Sequence, residues 1–318
     1  MRIAVVGTGG LGGYFGGRLA AAGAEVIFLA RGAHLEALKA TGLRIVSPNG
    51  NLHLPHVTAT HDSATVGPVD IVFFTVKLYD TESALPLLPP LIGADTVVIP
   101  FQNGVESVDM LSAAVDRAHL AGGTSYVQAS IAEPGVIRHI ALDRLVFGEL
   151  DGTRTPRLER LLDLCRAAAI SPTLSEAIDV EIWSKFVHIS VLSGLTSVTR
   201  SLVGPLRDDP DLLAMWQAAL VETIAVGRAK GIALPRGLFE ELITLLQEVP
   251  AQAGSSMLQD LERRRRLELP WLSGAVVRMG RALDVDTPIH RFITTVLKPH
   301  VNGLATGLTA SQASGSRF

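Results

Sequence analysis

Gly7-Thr8-Gly9-Gly10-Leu11-Gly12 forms a G-x-G-x-x-G pattern near the start of the chain. The spacing alone is a weak signal, and its setting gives it meaning. The β-branched run from Arg2 to Gly7 reads as a buried strand, and the small-residue run from Gly10 to Ala22 reads as a helix. Between strand and helix, the first glycine makes a tight turn and the second lets a pyrophosphate approach the backbone. The third lets helix and sheet pack closely, and the helix N-terminus offers partial positive charge. The chemistry is dinucleotide binding; the plain alternative is a glycine-rich turn with no ligand. An NAD-preferring domain places an Asp or Glu about 20 residues further on, for the ribose hydroxyls. Here the second expected strand, Glu25 to Ala30, runs into Arg31 instead. A guanidinium suits a 2′-phosphate, which favours NADPH over NADH. The alternative for Arg31 is an exposed surface arginine.

Two further strand ends carry polar groups. Phe74-Thr75-Val76-Lys77 ends in a lysine, and Pro100-Phe101-Gln102-Asn103-Gly104 ends in an amide and a glycine. Ligands of open α/β sheets sit outside the carboxyl ends of strands, so Lys77 and Asn103 are expected to face a cofactor. Their bland readings are a solvated cap and an Asn-Gly turn. Far downstream, Lys185 sits among Ile182, Trp183, Phe186 and Val187, with Ile189 one turn on. Such a lysine either snorkels, which is the default, or is partly desolvated, which lowers its pKa and suits it to proton transfer. Ser256 with Gln259 fits a capping box, which accounts for both residues structurally. Arg263 to Arg266 reads as a solvated basic face. Glu268 alone carries no signal.

The elements that must position these residues fall into two regimes. Up to Leu174, strand-like and helix-like segments alternate. A hairpin is expected over Leu43 to Thr60 around Pro48-Asn49-Gly50, buried strands at Val69 to Val76 and Thr96 to Pro100, and a strand-rich stretch from His119 to Leu150 with a turn at Glu133-Pro134-Gly135. A helix over Arg157 to Ala169 and a strand over Ser171 to Leu174 close this part. Beyond about residue 176 only helical patterns appear, at 176–199, 210–231, 235–248, 256–267, 271–283 and 287–304. Asp208-Asp209-Pro210 and Asp286-Thr287-Pro288 look like helix openings. The expected organisation is a Rossmann-type α/β domain (1–175), an all-α domain (176–308) and a disordered tail (309–318).

Composition bounds the partners. Of 318 residues, 47% are hydrophobic and 19% charged, enough for substantial cores, and the net charge of −3 leaves no electrostatic footprint for nucleic acid or an anionic membrane. No uninterrupted apolar stretch reaches the length of a bilayer span. The single cysteine, Cys165, permits no internal disulfide and fits a reducing, cytoplasmic setting. His53, His56 and His61 lack metal-ligand spacing, so no metal site is expected.

Taken together, the ordered set Gly7/Gly9/Gly12, Arg31, Thr75-Val76-Lys77, Gln102-Asn103-Gly104, Trp183-Ser184-Lys185, Ser255 to Asp260 and Glu268 resembles the ketopantoate reductase (2-dehydropantoate 2-reductase) family, from Met1 to about Leu304. The resemblance implies hydride transfer from NADPH to the ketone of 2-dehydropantoate, giving pantoate in pantothenate biosynthesis. It implies that Lys185 binds the keto oxygen and protonates the alkoxide, and that Glu268 orients Lys185 and substrate. It further implies that Ser256 binds the substrate carboxylate, that Asn103 lies near nicotinamide and substrate, and that Lys77 closes over the cofactor. A homodimer through the helical domain is also implied. The chain departs from the family where asparagines are usual four and eight residues after the lysine: here stand Ile189 and Ser193, and Ser273 replaces a third asparagine. Losing amides points to a more apolar or different 2-keto acid as an alternative substrate. A non-catalytic NADPH-binding sensor is the third reading.

Overall fold

Alternate residues of β1 (Arg2–Val6) belong to two different cores. Ile3 and Val5 join one buried cluster, Ala4 and Val6 another, so the strand is apolar on both faces, as expected of a central parallel strand. The computed structural model describes residues 1–303. The expected tail and the last residue of the expected helix 287–304 lie outside the described residues. The chain divides into two compact units, Met1–Ile182 and the part from Trp183 onward.

In the first unit, β1 is followed by α1 (Gly10–Ala21), β2 (Glu25–Leu29) and α2 (Gly32–Thr41). Then come β3 (Leu43–Val46), β4 (Leu52–Leu54), β5 (Thr58–Thr60), β6 (Ile71–Phe74) and α3 (Thr81–Ala84). β7 (Val97–Pro100), α4 (Ser107–Leu111), β8 (Ala121–Glu133), β9 (Val136–Glu149), α5 (Pro156–Ala167) and β10 (Ser171–Leu174) complete it. One sheet has the order β5-β2-β1-β6-β7, every pairing parallel. This is the doubly wound arrangement expected of a Rossmann-type domain. A second, mixed sheet runs β10-β9-β3-β4, with β8 paired to β9.

One expectation is overturned here, and one segment takes an irregular course. The hairpin over Leu43 to Thr60 ends at Leu54; Thr58–Thr60 leaves it and pairs with β2 in the other sheet. The segment between β6 and β7 breaks into short turns of helix, because Pro86, Pro89 and Pro90 remove the donors that a longer helix needs.

Helix α1 lies between the two sheets. A Cβ at Gly16 would meet Val5 and Phe28 of the first sheet, while one at Gly13 or Gly17 would meet Ile137 or Ile45 of the second. Its glycines therefore serve close packing on both sides, beyond the turn itself.

The second unit is helical. α6 (Ile178–Thr199) begins in the first unit and continues into the second. It is followed by α7 (Val203–Asp208), α8 (Pro210–Ala229), α9 (Leu238–Glu248), α10 (Ser256–Glu262), α11 (Ser273–Ala282) and α12 (Pro288–Leu297). Asp209 caps α8 by accepting from the amides of Asp211 and Leu212 at 2.9 and 3.0 Å, with Pro210 in the first helical position. The opening of α12 is satisfied differently. Thr287 makes no side-chain cap; Glu222 of α8 accepts from the amides of Ile289 and His290 at 2.8 and 3.0 Å. The short α7 escapes sequence reading because Gly204-Pro205 looks like a turn, yet a proline in the first helical turn loses no hydrogen bond. Among the described residues, α8 is long and apolar enough to cross a membrane by length and composition alone. It carries Glu222 and buries Trp216, Ala219, Leu220 and Ile224.

Candidate active site

The turn between β1 and α1 is pinned to its neighbours by the backbone. Gly7 has φ +98°, a conformation that favours glycine, and its amide donates to the Leu29 carbonyl at 3.2 Å. Thr8 is buried and donates to the same carbonyl from both its amide (3.1 Å) and its hydroxyl (3.0 Å). Thr75, just past β6, donates its hydroxyl to the Gly7 carbonyl at 2.7 Å. A Cβ on Gly12 would come within 2.5 Å of both the Gly7 carbonyl oxygen and the Thr75 hydroxyl, so α1 begins directly against the sheet. A Cβ on Gly9 would meet no protein atom within 4 Å, which leaves space for a ligand to reach the backbone there. Gly10 sits under the second sheet, where an added Cβ would collide with the Ala129 carbonyl oxygen. Leu11 is partly exposed, and the first turn of α1 carries no acidic residue to repel a phosphate.

The other expected cofactor residues of this unit sit at strand ends. Arg31, just past β2, is the N-cap of α2 and is exposed. Its guanidinium lies 3.8 Å from the Asp80 carboxylate, with the two side chains 68% and 36% exposed. A pair so wet contributes little, and leaves the guanidinium available to an anion. Lys77 follows β6 and precedes a 3₁₀ turn over Leu78–Asp80; Asn103 follows β7 and precedes Gly104 at φ +84°. Gln102, just past the end of β7, is buried. Its side-chain amide donates to the Val76 carbonyl at 2.9 Å and to the Thr81 hydroxyl at 2.8 Å, joining the ends of β6 and β7.

The second unit holds the ionisable pair. Lys185 is 9% exposed on α6, and Glu268, just ahead of a 3₁₀ turn over Leu269–Trp271, is 5% exposed. Burial lowers the lysine pKa to about 8, while the Glu268 carboxylate pulls it back upward. Of the two sequence readings, desolvation holds rather than snorkelling. His188, one turn along, is driven down to about 4 by burial and by the Lys185 charge, so it is neutral near pH 7 and unsuited to donate a proton there. Helical spacing puts Ile189 and Leu192 on the Lys185 side of α6, both partly exposed. Ser193 follows two turns after Lys185 and is buried.

The expected capping box is corrected by one residue. Ser255, not Ser256, is the N-cap of α10, accepting from the Leu258 amide at 3.0 Å. Its hydroxyl lies 2.7 Å from that of Thr196, which donates to the Leu192 carbonyl at 2.6 Å. With that proton committed, Thr196 accepts from Ser255, and one chain of hydrogen bonds ties α10 to α6. Ser256, relieved of capping, is exposed at the first position of α10. Ser273 is fully buried with an unpartnered hydroxyl, packed where a Cβ on Gly194 would come 3.0 Å from its oxygen. The sequence offered no sign of Thr196, since a threonine inside an apolar helix reads as filler.

Known proteins place this chain in a family. The model of ketopantoate reductase PanE/ApbA matches residues 3–152, and that of its C-terminal domain matches residues 177–301. The chain belongs to the ketopantoate reductase family. It is thus an oxidoreductase with a Rossmann-like fold. It is 31% identical over 309 residues to the 2-dehydropantoate 2-reductase of Mesorhizobium japonicum, covering 91% of this chain and 94% of that one. The crystal structure of a PanE/ApbA family ketopantoate reductase from Ralstonia eutropha superposes with a TM-score of 0.86 at 32% identity, covering 94% and 98%. D-mandelate dehydrogenase, solved with NADH and anilino(oxo)acetate, gives a TM-score of 0.86 over 94% and 98% of the chains. At 22% identity that likeness speaks for the fold alone.

Proposed function

We propose that this protein reduces the ketone of a 2-keto acid with NADPH, and that 2-dehydropantoate, giving pantoate, is the first substrate to test. The observation that carries this reading is the buried Lys185 with Glu268 acting on it. Reduction of a ketone needs a hydride on carbon and a proton on oxygen. Bound NADPH supplies the hydride. Lys185 donates a hydrogen bond to the carbonyl oxygen, stabilises the charge developing there and transfers its proton to the alkoxide, and the neutral amine left behind takes a proton back from water. Glu268 keeps the ammonium charged despite burial and fixes its direction. Ser256, exposed and free of capping, is suited to receive the substrate carboxylate, with Ser193 of the same unit as a further polar contact. The open space at Gly9, the exposed Arg31 and the strand-end Lys77 fit the diphosphate and 2′-phosphate of NADPH.

A second reading, another 2-keto acid, is favoured by Ile189 and Leu192, which offer an apolar surface along α6 next to Lys185. Such a surface cannot reward a substrate hydroxyl strongly. The test follows NADPH oxidation with 2-dehydropantoate beside a panel of 2-keto acids bearing alkyl and aryl side chains. Preference for 2-dehydropantoate supports the first reading, and preference for an apolar member supports the second. Lys185→Ala should lower kcat by about 10²–10⁴-fold while NADPH still binds. No turnover with any 2-keto acid by a wild type that binds NADPH tightly would reject both readings and leave a sensor.

A further inference from the structure

Gln102 is 7% exposed, and its amide nitrogen already has two partners, yet its carbonyl oxygen Oε1 is buried with none. Ser107, also 7% exposed and at the first position of α4, has a buried hydroxyl with no partner. Both residues line the same small cavity of about 20 Å³, walled otherwise by Pro100, Gly104, Val105, Val108, Gly123 and Ile182. Unsatisfied buried polar atoms are rare and costly. A cavity needs only about 10–15 Å³ to hold one water, provided polar partners line it. Two orphaned polar atoms and room for one molecule occur here together, directly behind the Asn103-Gly104 loop.

We propose that this cavity is a built site for one ordered water, and that Gln102, completed by it, is the positioning residue for the cofactor-side strand ends. The water donates to Gln102 Oε1 and exchanges a hydrogen bond with Ser107 Oγ. The amide plane of Gln102 is then fixed at both ends. One end holds the Val76 carbonyl, next to Lys77, and the Thr81 hydroxyl. The other anchors the start of α4. Asn103, the next residue in the chain, is thereby held between two tethered segments. The functional half of this inference rests on the NADPH reading above; the water itself does not.

The test has two arms. A crystal structure of the wild-type protein at about 1.8 Å or better should show a single water within hydrogen-bond distance of Gln102 Oε1 and Ser107 Oγ. A dry cavity, or a Gln102 turned so that Oε1 meets a protein donor, overturns the site. In solution, NADPH binding is titrated by fluorescence. Gln102→Met keeps the volume but cannot donate, and is expected to weaken NADPH by about tenfold. Gln102→Glu places a carboxylate against the Val76 carbonyl and should be as weak at pH 8. Protonated at pH 5.5, it can donate again and should recover to within about threefold of wild type measured at the same pH. A merely space-filling Gln102 would give no such pH-dependent recovery. Affinities of both variants within twofold of wild type at pH 8 overturn the positioning role. Should Gln102→Met fail to fold, Ser107→Ala takes its place, with an expected loss of about threefold and the same twofold limit. A wild type with no affinity for NADPH would strike the proposed function, while the crystallographic arm still decides the water.

Discussion

On the proposed reading, Lys185 makes ketone reduction depend on pH in a direction fixed by its surroundings. Burial lowers its pKa from the ordinary lysine value to about 8, so the group is charged below that value and neutral above it. Only the charged form can give a proton to an alkoxide. The rate of ketone reduction should therefore be level below about pH 8 and fall about tenfold per unit well above it. The reverse reaction, alcohol oxidation, needs the neutral amine and should rise over the same range. Glu268 raises the lysine pKa against burial, so Glu268→Gln should move the descending limb to lower pH as well as lower the rate. Profiles of kcat for both directions in wild type and variant check this; a reduction limb that stays near pH 8 in Glu268→Gln would remove Glu268 from that role. His188 does not complicate the profile near neutrality, since burial and the Lys185 charge keep it neutral down to about pH 4.

Helix α1 separates two uses of glycine that sequence reading merges. At Gly9 an added methyl has open space in the protein, whereas at Gly10 it meets the β8 backbone. Gly9→Ala should keep the thermal midpoint near wild type and lose NADPH affinity, because its methyl stands where the ligand approaches. Gly10→Ala should destabilise by about 1–3 kcal/mol or more, since neither the backbone of β8 nor that of α1 yields easily. Thermal melts with and without NADPH separate the two; equal midpoints for the two variants would refute the distinction. The same helix shows what was legible in the sequence. The strand, turn and helix around Gly7 to Gly12 follow local rules of period and turn chemistry, and so do the helix openings at Asp209 and Pro210. The packing of Gly13 and Gly17 against a second sheet depends on strands more than 20 residues away in the chain, and no local pattern encodes that. Thr58–Thr60 left its apparent hairpin for the same reason: its partner, β2, was chosen by tertiary packing. At the candidate site, the apolar neighbours of Lys185 are a local signal. Glu268 has none, because a lone glutamate has no pattern until the fold brings it to a lysine. The Thr196–Ser255 bond spans 59 positions of sequence and was likewise invisible.

At the scale of the whole molecule, the choice between NADPH and NADH can be read without any substrate. A ligand that binds only the folded state stabilises it in proportion to the logarithm of its concentration over Kd, by about 2.7 kcal/mol at 100 times Kd. For a folding unit of 150–250 residues, 1 kcal/mol corresponds to roughly 2–4 °C in midpoint. A chain with two compact units need not melt in one step, so the shift is read on whichever transition the nucleotide moves. Arg31 is exposed at the end of β2 and held only by a loose, solvated pair with Asp80, and no carboxylate occupies its own position. Its guanidinium can meet a 2′-phosphate without first giving up a strong partner, and a charge-assisted contact of that kind is worth about 1.5–3 kcal/mol. At equal concentrations NADPH should therefore raise the midpoint several degrees more than NADH. Arg31→Ala should remove most of that difference while leaving the NADH shift in place, because NADH has no phosphate for the arginine to hold. Equal shifts by both nucleotides in the wild type would mean that Arg31 is a surface residue, and that the adenosine ribose is recognised by another group of the first unit.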